Sequence, residues 1–206
     1  DKLNEFIQIE KPENLFKSMK YTVTLEGKRL RPIMCLETCS MLGGKIEDAL
    51  PTACAIEMLH AQTLIHDDLP CMDNDDYRRG KPSNHKVFGE ATAVLAGDAL
   101  LTLAPQIISK FSYNLNPSKI LRILNEYFHF AGSRGVIAGQ VVDIECEAKT
   151  DIENKENTLD YLHLHKTSDL FQLAMRTGAI IANADDNKIE KITEFAQNFG
   201  LAFQIC

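Results

Sequence analysis

Five aspartates crowd into a stretch of ten residues: Asp67, Asp68, Asp73, Asp75 and Asp76. Carboxylates this close repel one another unless a cation collects them. Hard oxygen ligands are the ones that Mg²⁺ prefers, and Mg²⁺ in proteins typically binds one or two carboxylates together with water and substrate phosphates. The cluster therefore predicts a magnesium site, with a solvated acidic loop as the plainer alternative.

An EF-hand calcium loop is the main rival, and the spacing argues against it. In a loop that starts at Asp73, the sixth position, where an EF-hand needs glycine, is Arg78, and the twelfth position lacks the required glutamate. Arg78 and Arg79 directly follow the aspartates. Guanidinium groups and a metal on one loop are the combination that binds a diphosphate.

A cluster of positive charges lies at the N-terminus of a predicted helix, where the helix dipole disfavours cations. Lys28, Arg29 and Arg31 precede or flank Pro32, which is typical of a first helical turn. The helix dipole is positive there, so each cation costs about 0.3 to 1 kcal/mol unless an anion binds among them. Backbone N–H groups at the same terminus would add donors. We interpret the segment as a diphosphate site, the alternative being a solvated basic turn.

Lys166 interrupts an apolar stripe at helical spacing that includes Leu162 and Leu170. A core-facing ammonium needs a partner, so the side chain either extends to the surface or reaches an anion in the interior. On an earlier predicted helix, Gly139 weakens the helix by about 1 kcal/mol relative to Ala. Its presence suggests that another helix or a substrate approaches closely.

Apolar residues recur at helical spacing along nearly the whole chain, which predicts an all-α helical bundle around an interior site. The predicted helices span roughly residues 32–42, 47–68, 91–110 with a kink at Pro105, 117–148, 158–184 and 187–206. Between them, residues 69–90 form a polar stretch too long for a simple connection, so we expect it to be functional.

Composition limits the function classes. The 206 residues are 45% hydrophobic and carry a net charge of −7, which favours one domain over residues 1–206 and argues against nucleic acid as a partner. The six cysteines form no regular framework, so we expect reduced, buried thiols rather than a zinc site at Cys35 and Cys39. The sequence shows neither an uninterrupted bilayer-length apolar run nor a secretion signal, which predicts no stable membrane insertion and a cytoplasmic location. A plastid-type organelle is the alternative if a transit peptide has been removed.

The charged motifs together resemble the trans-isoprenyl diphosphate synthases, over almost the whole chain. The segment from Gly27 to Pro32 looks like that family's isopentenyl diphosphate element. His60, followed by Asp67-Asp68 and, after four residues, Asp73, looks like its first aspartate-rich motif. Further matches are Asp75 to Pro82, Gly139-Gln140 with Asp143, and Lys166-Thr167. The four-residue spacing is most similar to bacterial and plastid-type farnesyl and geranylgeranyl diphosphate synthases.

The resemblance implies a role for each matching residue. Asp67 and Asp73 would bind Mg²⁺ that bridges the allylic diphosphate, with Asp68 in support, and Arg78 would hold that diphosphate. Lys166 would stabilise the departing diphosphate, and Thr167 and Gln204 would face the allylic cation. The isopentenyl diphosphate would be bound by Lys28, Arg31, His60 and Arg79. The allylic substrates would be dimethylallyl, geranyl or farnesyl diphosphate, and the fold a homodimeric helical bundle with a deep central cavity.

Two departures from the family pattern leave alternatives open. Glu26 stands where a small residue is common, which would alter the mobility of the loop. The family's second aspartate-rich motif should begin directly after Cys206, so we expect the sequence to be truncated there and the 206-residue chain to be inactive. A non-catalytic subunit of a heteromeric synthase and a terpene cyclase of the same fold are the alternative functions. The resemblance also bears on product length: in that family a bulky aromatic one turn before the aspartates halts chain growth early. Gln62 and Thr63 stand there instead, so we expect a C20 product, geranylgeranyl diphosphate, rather than the C15 farnesyl diphosphate.

Overall fold

The computed structural model describes residues 2–148 and 155–205. These residues form eleven α-helices, one π-helical segment and one two-stranded hairpin. The α-helices are α1 (Lys2–Phe6), α2 (Glu13–Thr24), α3 (Leu30–Met41), α4 (Ile46–Asp67), α5 (Asn84–Phe88), α6 (Glu90–Phe111), α7 (Pro117–Ala131), α8 (Val136–Ala148), α9 (Lys155–Leu162), α10 (Asp169–Ile181) and α11 (Asp186–Ile205). The predicted all-α fold is confirmed.

Helix α4 lies at the centre of the bundle because its sequence is apolar on nearly every face. Ala53, Ile56 and Leu59 are each at most 1% exposed to solvent. The helix packs against α3 on one side and α6 on the other, and α10 contacts α3, α4, α7 and α11. Since α4 ends at Asp67, this rigid core element delivers the first aspartates to one end of the bundle.

The polar stretch after α4 contains a hairpin that the sequence reading did not anticipate. Strand β1 (Tyr77–Arg78) pairs antiparallel with β2 (Lys81–Pro82). The two turn residues, Arg79 and Gly80, both have positive φ, at 52° and 75°, as a tight hairpin of this kind requires. The turn fixes Arg78 and Arg79 beside each other at the bundle end.

The predicted continuous helix over residues 117–148 is wrong. Helix α7 ends at Ala131 and α8 begins at Val136, with the glycine-containing turn 132–135 between them. A Cβ on Gly135 would lie 2.1 Å from the Phe130 carbonyl oxygen, so the chain folds back on itself more tightly than other residues allow. The predicted helix over 158–184 is likewise interrupted, by a π-helical segment at His163–Ser168.

Among the described residues, α6 is the one helix long and apolar enough to cross a membrane by length and composition. Core helices of soluble proteins pass the same test, and α6 packs lengthwise on α4. Of the most apolar 18-residue stretch of α6, 39% is buried, so part of the helix presents an exposed apolar face. The absence of membrane insertion stays a prediction.

Candidate active site

Two adjoining cavities open at the end of the bundle where α4 meets the hairpin. The first, of about 620 Å³, has a basic lining that includes Lys28, Arg31, His60, Arg78 and Arg79. These are the five side chains for which the family resemblance implied substrate binding. Lys28 is exposed at its mouth, whereas the others are partly buried deeper inside.

His60 lies between two of these guanidinium groups. Its Nε2 is 3.4 Å from Arg31 Nη1 and 3.3 Å from Arg79 Nη2. Burial lowers the pKa of His60 well below its usual value, and the charges of Arg31 and Arg79 lower it further. The imidazole is therefore neutral, and its Nε2 serves as an acceptor facing both arginines. Burial also lowers the pKa of Arg31, to about 10, which still leaves it charged at neutral pH.

The backbone around this cavity is shaped to admit Arg79. A Cβ on Gly27 would lie 2.5 Å from Arg79 Nη1, so a side chain at position 27 would displace the guanidinium. The Arg31 guanidinium packs over the Phe171 ring: its Cζ lies 4.7 Å from the ring centre, a cation–π distance.

Arg29 also lines this cavity, but its guanidinium has partners within the protein. It adopts a left-handed backbone conformation with φ of 51° just before α3, and its guanidinium turns inward to an ion pair with the buried Glu57. It also donates to the Val23 carbonyl oxygen at 2.8 Å and to that of Leu25 at 2.5 Å. Arg29 therefore fixes the loop before α3, and the sequence reading missed Glu57, whose one visible signal is a lone acid in an apolar helix.

Asp68, expected to support the metal-binding aspartates, contacts Arg78. It is buried and binds Arg78, whose Nε donates to Asp68 Oδ1 at 2.8 Å. Arg78 Nη2 donates to Asp75 Oδ2 at 3.1 Å as well. The pair ties the hairpin to the end of α4.

Asp67 and Asp73 line the second cavity, which has a volume of about 710 Å³. The backbone N–H of Asp73 donates to the Asp67 carbonyl oxygen at 2.9 Å, so the intervening loop closes on itself and returns Asp73 to the end of α4. Burial raises the pKa of Asp67 to about 7; the Lys166 charge opposes the rise and the Asp73 charge adds to it. A buried carboxylate beside a second one is a position that a bound cation would stabilise.

Lys166 reaches this cavity from the π-helical segment. Its Nζ forms an ion pair with Asp143 on α8. Burial lowers the pKa of Lys166, but the Asp143 hydrogen bond and the charges of Asp143, Asp67 and Asp73 together raise it more, so the pKa is raised overall. The predicted close approach at Gly139 is confirmed, because a Cβ there would lie 2.5 Å from the Lys166 backbone nitrogen.

Thr167 and Gln204 lie where the two cavities meet. Thr167 Oγ1 donates to Gln204 Oε1 at 2.7 Å, and both residues line both cavities, as do Arg31, His60, Leu64 and Arg78. From this junction the second cavity extends along an apolar wall formed by Val136, Ile137, Val141 and Ile144 of α8. In the sequence, this wall is marked by nothing more than ordinary helical periodicity.

The carboxylates fit a magnesium ion that is shared with a substrate. Within residues 2–148 and 155–205, no three His, Cys, Asp or Glu side chains come together as a metal site made by protein alone. Mg²⁺ needs no such set, because it takes one or two carboxylates and completes its octahedron with water and phosphate oxygens. Asp67 and Asp73, facing cationic groups suited to a diphosphate, match that arrangement. Cys35, Cys39 and Cys54 are buried and free, as expected. The prediction of buried thiols is wrong for Cys71, which is exposed because it lies in the polar loop after α4, and for Cys146, which is half-buried on α8.

Comparisons with known proteins identify the family to which this chain is similar. The profile of the polyprenyl synthetase family matches residues 12–206. The chain is 44% identical over 205 residues to a geranylgeranyl diphosphate synthase of Cyanophora paradoxa, covering 100% of this chain and 68% of the relative. It is 48% identical to a farnesyl diphosphate synthase of Geobacillus stearothermophilus, covering 98% of this chain and 68% of the relative.

The fold has the same relatives. An FPP/GFPP synthase from Zymomonas mobilis superimposes with a TM-score of 0.94 at 37% identity, covering 98% of this chain and 73% of that one. This chain spans between 54% and 68% of the length of the curated relatives compared with it.

Proposed function

We propose that this chain, which belongs to the polyprenyl synthetase family, carries the substrate cavities of a short-chain prenyltransferase that joins isopentenyl diphosphate to an allylic diphosphate. The observation that carries the proposal is the meeting of two cavities, one basic and one acidic with an apolar extension, at Arg31, His60, Arg78, Thr167 and Gln204. Two separate anion sites suit two diphosphate substrates. A terpene cyclase, with a single diphosphate substrate, would not need the basic cavity.

Each cavity suits one substrate. The basic cavity, with Lys28, Arg31 and Arg79 around a neutral His60, would hold the isopentenyl diphosphate. The second cavity would hold the allylic diphosphate between Arg78 and Lys166, with its hydrocarbon tail along the α8 wall. The two reacting carbons would then meet at the junction beside Thr167 and Gln204.

Ionisation of the allylic C–O bond is the step that these residues would promote. Negative charge grows on the departing diphosphate, so the cations Arg78 and Lys166 bind it more strongly in the transition state than in the ground state. Mg²⁺ held by Asp67 and Asp73 would supply further charge neutralisation there. The Thr167 and Gln204 oxygens face the junction where the allylic cation would form. After the double bond of isopentenyl diphosphate attacks, we assign the released proton to the departing diphosphate.

The proposal extends to assembly and product. Helices α6 and α7 expose large apolar side chains, among them Leu95 at 59%, Leu121 at 67% and Phe128 at 60%. A second copy of the chain, packed on this face, would bury them, so we assign a homodimer. The lining near Asp67 on α4 contains Gln62 and Thr63 rather than an aromatic ring, which favours a C20 product, geranylgeranyl diphosphate, over C15.

The function is tested by condensation of labelled isopentenyl diphosphate with farnesyl diphosphate, using protein from the complete reading frame. We expect activity that requires Mg²⁺ and falls by about 10² to 10³-fold in Asp67→Ala, as when one charge-stabilising group of a site is removed. Asp160→Ala, which removes an exposed carboxylate on α9 outside both cavities, is the matched control and should retain activity. Normal turnover in a chelator, or equal activity of the two variants, would contradict the proposal.

A further inference from the structure

The π-helical segment His163–Ser168 presents neighbouring residues to opposite sides. Lys166 and Thr167 face the second cavity of the active site, whereas His165 lines a separate polar cavity of about 490 Å³ behind the segment, together with Asp169 and Gln172. The mechanism proposed above makes no use of this rear cavity. It nevertheless shares one turn of backbone with the residue that would hold the departing diphosphate.

A hydrogen bond spans the rear of the segment. His165 Nδ1 lies 2.8 Å from Asp169 Oδ2, and Gln172 Nε2 donates to Asp169 Oδ1 at 3.3 Å. Asp169 is 3% exposed, and the Tyr161 ring lies 4.2 Å from the His165 ring, so the imidazole is held from two directions. Burial raises the pKa of Asp169 to about 6, so at pH 8 it is an ionised, acceptor-only group, and His165 Nδ1 must carry the proton.

The front of the segment is fixed independently. Gly139 on α8 lets backbone atoms of that helix approach the Lys166 backbone, and the Lys166 ammonium pairs with Asp143. Ser168 Oγ donates to the carbonyl oxygens of His163 and Gln197 at 3.3 Å each. A π turn lacks the regular i to i−4 hydrogen bonds of an α-helix, and such turns occur often at functional sites. Its geometry therefore depends on side-chain contacts on both sides.

We propose that His165 and Asp169 are positioning residues for the prenyl transfer: their hydrogen bond holds the π turn so that Lys166 points at the departing diphosphate. The inference rests on the proposed function. It assigns no contact between either residue and a substrate. Because the Lys166 ammonium acts on charge that develops in the transition state, its displacement lowers kcat and leaves the KM for both substrates nearly unchanged.

His165→Phe tests the bond while keeping an aromatic ring beside Tyr161. We expect kcat to fall by about 10-fold to 100-fold, as when a catalytic group is displaced by a distant change. His163→Phe, the same substitution two residues earlier on the same segment, is the matched control and should retain the wild-type kcat. His165→Asn, whose amide can donate from about the position of Nδ1, should restore most of the lost rate. Should His165→Phe fail to fold, Asp169→Ala removes the same bond from its other partner without adding volume to this buried position.

A double-mutant cycle with Lys166→Ala separates positioning from general damage. If the bond acts through Lys166, adding His165→Phe to Lys166→Ala lowers kcat by less than 2-fold further. Full additivity of the two losses would overturn the inference, as would a wild-type kcat in His165→Phe. Either result leaves the proposed function intact when the wild-type enzyme condenses the two diphosphates. Failure of the wild-type enzyme to do so would count against the function itself.

Discussion

At the scale of single residues, His60 shows how the basic cavity holds several cations close together. A protonated imidazole between Arg31 and Arg79 would add a third positive charge, and burial already disfavours that form. The neutral ring serves as an acceptor instead and lies between the two guanidinium groups. Its Nε2 is 3.4 Å from Arg31 Nη1 and 3.3 Å from Arg79 Nη2. Both arginines keep donors available for a phosphate group.

This neutrality has a consequence for stability that can be measured. The unfolded chain takes up a proton at His60 near pH 6.5, whereas the folded chain resists protonation, so below pH 6.5 the unfolded state binds more protons. His60 therefore makes folding less stable as pH falls, by up to about 1.4 kcal/mol for each pH unit. Urea unfolding at pH 7.5 and 5.0 should show a smaller loss in His60→Gln than in wild type. His129→Gln, at an exposed position, is the control and should behave as wild type; an unchanged pH dependence in His60→Gln would refute a neutral His60.

The sequence predicted which charged residues would gather better than it predicted their individual partners. The charge patterns and the family motifs pointed to Arg31, Arg78, Asp67 and Lys166, and all four line one or both cavities. The ion pair of Arg29 was not anticipated, because its inward turn depends on the buried Glu57 from another helix. Asp68 also has a partner, Arg78, that is set by the hairpin. Such pairings are tertiary, and local spacing does not encode them.

At the scale of elements, the helices at the centre of the bundle agreed with prediction, and the helices beside the active site did not. Helix α4 was expected over 47–68 and spans Ile46–Asp67, because apolar periodicity and a rigid core coincide there. The break at 132–135 and the π segment both lie in stretches that retain helical periodicity. Close backbone contacts at glycine cause the first interruption, and a widened helical turn is the second. A hydrophobic pattern shows neither feature.

The contact between α8 and the π segment predicts whether a substitution at Gly139 raises or lowers the free energy of unfolding. In a helix without neighbours, Gly→Ala would stabilise by about 1 kcal/mol. Here the new Cβ would lie 2.5 Å from the backbone nitrogen of Lys166, and a backbone atom cannot move aside as a flexible side chain can. Gly139→Ala should therefore lower the free energy of unfolding in urea titrations and reduce kcat by displacing Lys166. A variant more stable than wild type would show that α8 and the segment are farther apart.

At the scale of the whole molecule, the exposed apolar face of α6 and α7 sets the expected assembly. The two helices are tied together where the Tyr127 hydroxyl donates to the Leu101 carbonyl oxygen at 3.1 Å, so their exposed residues belong to one rigid surface. Leu95→Glu would place a charge within the proposed interface. Sedimentation should show a dimer for wild type and a shift toward monomer for Leu95→Glu, while Ile9→Glu, an equally drastic change at another exposed apolar residue, remains dimeric. A monomeric wild type would contradict the homodimer.

Product length depends on how far the second cavity extends past the aspartates. Gln62 and Thr63 lie five and four residues before Asp67 on α4, roughly 6 to 8 Å along the helix at 1.5 Å per residue, and both line the cavity. Gln62 Nε2 lies 3.1 Å from His66 Nδ1, which holds the amide along the cavity wall. A growing chain that passes this turn would continue between α4 and the Ile137, Val141 and Ile144 side chains of α8.

A ring at position 62 should close this path. Tyr is larger and more rigid than Gln, and it cannot reproduce the amide contact with His66, so its ring would project toward the α8 wall and stop the tail early. We expect Gln62→Tyr to convert a C20 product into C15, measured by chromatography of the dephosphorylated products. Gln8→Tyr, the same substitution at an exposed site outside this cavity lining, should leave the product at C20. If the wild-type enzyme already stops at C15, or if Gln62→Tyr makes the wild-type product, the limit on chain growth is set by residues other than those on this turn of α4.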